Sequence, residues 1–146
     1  ERVAAHTFDP SEYLVNQMRK DRSMTLGKVE LDEEIIFHAA CHTQAQNVGL
    51  KGRDLLKKLG VKVRVVAKCS GIDGTWGYRS ENAASSLRMS SALADQIAKT
   101  GSTTIAGDCH LANTAIDEAL GLRVEHPISL VRKLLGLETQ PPLKGN

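Results

Sequence analysis

Three short apolar runs, each ending just before a cysteine, constrain this chain more than any other feature. "EEIIFHA" (33–39) leads to Cys41, "VKVRVVA" (61–67) to Cys69 and "STTIAG" (102–107) to Cys109. Short runs rich in Val and Ile read as strands. The stretches between them carry helical periodicity. "GLKGRDLLKKLG" puts Leu55 and Leu59 on one face and stops at Gly60; "SENAASSLRMSSALADQIAKTG" spaces Met89, Leu93 and Ile97 by one turn and stops at Gly101. "CHLANTAIDEALG" turns Ala112, Ile116, Ala119 and Leu120 inward, and "HPISLVRKLLG" starts on Pro127 with Ile128, Val131, Leu134 and Leu135 on one face. Ahead of the first strand, "FDPSEYLVNQMRK" predicts an opening helix with Asp9 as cap, Pro10 in the first turn and Glu12 completing a capping box. "GKVEL" (27–31) reads as a short edge strand. Strands alternating with helices predict an α/β fold, a parallel sheet flanked by helices, as one domain over residues 1–146. Residues 138–146 read as a loose tail.

Functional groups of such sheets gather outside the carboxyl ends of the strands. All three cysteines are therefore expected at one edge, beside helix N-termini whose partial positive charge favours thiolates. A single cysteine is most often a small buried hydrophobe; three at equivalent strand ends point to a site. His42 and His110 directly follow Cys41 and Cys109 and add imidazoles there. Gly71, Gly74 and Gly77, with Trp76 among them, form the loop "GIDGTWG". It is either a tight loop that brings backbone N–H groups to a cofactor or a turn that needs positive φ.

Composition narrows the classes. The net charge is +2, with no basic block interleaved with aromatics, which gives no footing for nucleic acid. No apolar run approaches the ~20 residues of a membrane span. An odd count of three cysteines suits a reducing, cytoplasmic compartment with free or ligating thiols better than a disulfide framework. No CxxC pair is present, and the glycine loop matches neither the Walker nor the dinucleotide pattern. The start at "ERVAAH", without methionine, is read as that of a fragment, a processed chain or a piece of a longer polypeptide.

"FHAACHTQAQNVGLKGRDLL", "CSGIDGTWGYRSEN" and "GDCHLANTAIDEALGLRVEHPISLVRKLLG" resemble the successive motifs of the cysteine-rich CCG domain family. The resemblance runs over roughly residues 8–137. That domain occurs in heterodisulfide reductase (its B subunit), in the iron–sulfur subunits of glycolate and lactate oxidation, and in anaerobic glycerol-3-phosphate dehydrogenase (its C subunit). "GTWGYRSEN" is closest to the last. The family pattern is a cysteine after the first strand, Cys-Cys-Gly after the second and Cys-x-x-Cys after the third. Here Ser70 stands in the middle of the second motif and Ala112 at the end of the third.

What the resemblance implies is an electron-transfer module of an iron–sulfur oxidoreductase, the C-terminal part of a longer protein. It would relay electrons between a flavoprotein dehydrogenase and an acceptor, with ferredoxin-type segments and other subunits as partners. Its place would be the cytoplasm, including the inner face of the membrane by peripheral association. The ligand set would be Cys41, Cys69 and Cys109 with His110 or His42, holding an iron–sulfur cluster such as [4Fe–4S]. A Cys₃His zinc module and a cluster-free assembly domain remain open at this point.

Overall fold

The computed structural model describes residue 3 and residues 6–137; the expected loose tail lies outside them. Four parallel strands form one sheet: β1 (Ile35–His38), β2 (Val63–Val66), β3 (Ile105–Gly107) and β4 (Val124–Glu125), in the order β2-β1-β3-β4. Six α-helices surround it among the described residues: α1 (Pro10–Lys20), α2 (Cys41–Ala45), α3 (Lys51–Lys58), α4 (Ala83–Ala98), α5 (His110–Leu120) and α6 (Pro127–Leu134). The expected α/β architecture holds.

Side chains alternate across a strand, so each face of β1 feeds a separate core. Ile35 and Phe37 pack with Val15, Leu55, Leu56, Leu59, Leu130 and Val131, which places α1, α3 and α6 on one face. Ile36 packs with Val66, Leu93, Ile97, Ile105 and Ile116, which places α4 and α5 on the other. β1 and β3 are fully buried, as central parallel strands are. The strand order reverses between β1 and β3. The chain leaves β1 toward β2 and leaves β3 toward β4, so a crevice opens between their carboxyl ends.

Local chemistry sets the element ends. The Asp9 carboxylate accepts from the Ser11 and Glu12 amides, as a cap should. Gly121 ends α5 in the left-handed conformation. Three expectations need correction. Residues 27–31 are not a strand: Val29 donates to the Leu59 carbonyl at the end of α3 and Leu31 packs on the core, so the segment braces a helix end instead of a sheet edge. Ala119 is exposed, and Ala115 joins Ala112 as a buried alanine of α5. Met89 is 42% exposed and belongs to a cavity wall, while Leu93 and Ile97 take the core. The two-residue β4 is too short to show a period, and the sequence reading passed over it.

Candidate functional site at the carboxyl edge

His38 is the common reference of the three strand ends. It pairs with Val66 of β2 on one side and with Gly107 of β3 on the other. Cys41 lies three residues past His38, Cys69 three past Val66, and Cys109 two past Gly107. The register therefore delivers the cysteines to neighbouring positions over the crevice. All three line one cavity of about 550 Å³, walled also by His38, His42, Gly71, Trp76, Met89 and Leu111.

Side-chain ties hold the cavity together. Cys41 is the first residue of α2, and two residues on, the buried Thr43 hydroxyl donates to Asp108 Oδ1 at 2.9 Å. That bond fixes the start of α2 against the segment carrying Cys109. Cys109 is the N-cap residue of α5, and its carbonyl accepts from Asn113 N. Asn113 Nδ2 in turn donates to the Gly107 carbonyl at 2.8 Å and draws the first turn of α5 back onto β3.

The glycine loop packs on α4. Gly71 sits at φ 81°, and a Cβ there would run into the Ser86 carbonyl oxygen. At Gly77 a Cβ would lie 2.5 Å from the Gly71 carbonyl oxygen. Close packing thus accounts for Gly71 and Gly77, and Gly77 does not line the cavity, whereas Gly71, Gly74 and Trp76 do. The Gly71 amide donates to Cys69 Sγ at 3.3 Å.

Cys41 and Cys69 are electrostatically coupled. Partial desolvation pushes the Cys41 thiol up, and Cys69, within hydrogen-bonding reach, and Asp73 push it the same way. Neighbouring thiolates repel one another unless protons or a cation neutralise them.

The histidines divide. His42 lines the cysteine cavity, with Nε2 3.3 Å from the Thr43 hydroxyl. His110 lines a different, polar cavity with Asp117, Arg123, Glu125 and His126. Consecutive residues at a helix start point about 100° apart, so Cys109 and His110 serve different spaces. The sequence reading missed His38. The residue is 1% exposed, and its Nε2 lies 2.9 Å from the Lys68 carbonyl oxygen. Its Nδ1 is buried with no hydrogen-bond partner, a state that costs about 1–3 kcal/mol. Burial holds the ring below the ordinary imidazole range; the Lys68 bond and Asp108 oppose that shift, and His42 reinforces it. The available signal was strand alternation, which puts His38 on the face of Ile36, above α4 and α5.

Comparisons with known proteins agree with this picture. The sequence pattern of the cysteine-rich CCG domain matches residues 35–117, from β1 into α5. The chain belongs to the CCG family. It is also 31% identical over 117 residues to the C subunit of anaerobic glycerol-3-phosphate dehydrogenase from Escherichia coli K12, and equally to that from Escherichia coli O157:H7. That match covers 79% of this chain and 30% of each relative, so the chain spans under a third of the curated proteins it resembles. No solved structure is significantly similar.

The donor set can be weighed against an iron–sulfur cluster. Three soft thiols and an imidazole with an unused lone pair border one cavity. Among the described residues, no three His, Cys, Asp or Glu side chains converge as a single metal ion requires. Ligands of a cluster are shared among different irons, whereas a zinc ion takes all of its ligands itself. No described helix is long and apolar enough to cross a membrane.

Proposed function

We propose that this domain is a one-electron relay of an iron–sulfur oxidoreductase, with Cys41, Cys69 and Cys109 holding a cluster of the [4Fe–4S] type. The observation that supports it is the single cavity that all three cysteines line at the switch point of the sheet. A bound cluster supplies reversible one-electron transfer. The chain supplies the rest. Cys41, Cys69 and Cys109 would hold the cluster as thiolates, and its positive irons would offset the repulsion between neighbouring sulfurs. The Gly71 N–H on Cys69 Sγ withdraws charge from that sulfur, which tunes a potential upward. Trp76, Met89 and Leu111 give the wall an apolar side. The partners are the flavoprotein dehydrogenase and ferredoxin-type segments of a larger assembly, at the inner face of the membrane.

A second reading has its own support. Ser70 and Ala112, both buried, occupy the places of the family's other two cysteines, which fits an assembly domain without a cluster. Anaerobic reconstitution of the full chain separates the two. The relay reading expects iron and sulfide in the parent, visible absorption, and loss of both in each of Cys41→Ser, Cys69→Ser and Cys109→Ser. Zinc without sulfide, or no metal at all, overturns it.

A further inference from the structure

We propose that His38 is the nitrogen ligand of this site. The proposal rests on the cluster reading above and names the donor that Ser70 and Ala112 leave unfilled. His38 ends β1 at the crevice and lines the cavity that Cys41, Cys69 and Cys109 also line. The tautomer follows from its one hydrogen bond. A carbonyl only accepts, so Nε2 carries the hydrogen that goes to Lys68 O, and Nδ1 is left as a bare lone pair. That lone pair is buried and has no partner. A metal-bound histidine has the same arrangement: a neutral ring, one nitrogen donating to a backbone carbonyl, the other free for the metal. The anchoring bond also ties the ring to the chain two positions after the last residue of β2 and one before Cys69, so imidazole and thiol are held by the same stretch of backbone.

The other histidines lack these properties. His42 is exposed, and its Nε2 already meets the Thr43 hydroxyl. His110 lines the separate polar cavity, with Asn113 and Asp117 of its own helix. Ala112 carries no donor atom at all. His38 therefore stands as the fourth donor to three thiolates, with a neutral nitrogen in place of a charged sulfur.

The test uses the full chain, reconstituted anaerobically with iron and sulfide, reduced, and studied by pulsed electron paramagnetic resonance with natural and ¹⁵N-labelled histidine. The expected result is a histidine nitrogen coupling that changes on labelling, survives in the His42→Gln, His110→Gln double variant and disappears in His38→Gln. His38→Gln should also lose its cluster to a chelator at least about tenfold faster than the parent. The labelled double variant keeps the assignment decidable even where His38→Gln does not fold. A cluster without histidine coupling, or a coupling lost in the double variant, overturns the role of His38 and leaves the cluster reading standing. A parent without iron and sulfide overturns both.

Discussion

The two edges of the sheet are built differently. At the amino edge, polar groups are matched. Glu33 accepts from the Thr103 amide at 2.9 Å and from the Thr104 hydroxyl at 2.5 Å, Glu34 pairs with Arg64 at 2.6 Å, and Ile36 N reaches the Thr104 carbonyl. At the carboxyl edge stand three free thiols, an imidazole nitrogen with no partner and a cavity of about 550 Å³. One edge closes the chain on itself, and the other holds donors in reserve. An edge built only for stability would have paired His38 Nδ1 or replaced it with an apolar side chain, because an orphaned buried acceptor is a net cost.

The largest expected effect tests how rigidly the carboxyl edge is held. Gly71→Ala forces a Cβ against the backbone of α4 at a left-handed φ, where neither partner can give way. It should cost about 3 kcal/mol or more in urea unfolding and lower the cluster content. Gly74, at φ 62° with open space around it, should cost about 1 kcal/mol on change to alanine and keep the cluster. Equal losses at the two glycines would mean that packing on α4 does not hold the loop.

The next effect belongs to the amino edge. Glu33→Ala removes the acceptor shared by Thr103 and Thr104 and should cost about 1–2 kcal/mol, with iron and sulfide content unchanged. The Thr104 hydroxyl and Thr103 amide hold the Glu33 carboxyl below its ordinary value. The folded state thus binds a proton less readily than the unfolded one. The clasp's contribution is full above about pH 4.5 and disappears as pH falls through the lower folded value. The acid loss of stability should be shallower in Glu33→Ala than in the parent. Cluster loss in this variant would break the separation of the two edges.

The smallest effect is expected at His110. It shares the carboxyl edge but not the cysteine cavity. His110→Ala should shift stability by no more than about 0.5 kcal/mol and leave the electronic spectrum of a reconstituted cluster unchanged. A changed spectrum would extend the metal site across α5 and unite the two cavities.

The sequence by itself determined which residues could meet. Val and Ile runs made β1, β2 and β3, prolines began helices and glycines ended them, and the cysteine placed just after each strand fixed a common edge. These are local properties, set by side-chain periodicity and backbone sterics within a few residues. Tertiary structure decided which of them do meet. Only the order β2-β1-β3-β4 puts the crevice between β1 and β3. Only the turn of α5 separates His110 from Cys109, and only packing on α4 shows that Gly71 and Gly77 are needed for close approach. His38 was legible as a residue near the end of a strand and no more. Its role depends on a carbonyl thirty residues away and on burial by helices from elsewhere in the chain. Hydrogen-bond partners and desolvation are set by what the fold brings together, and neighbours in sequence carry no record of them.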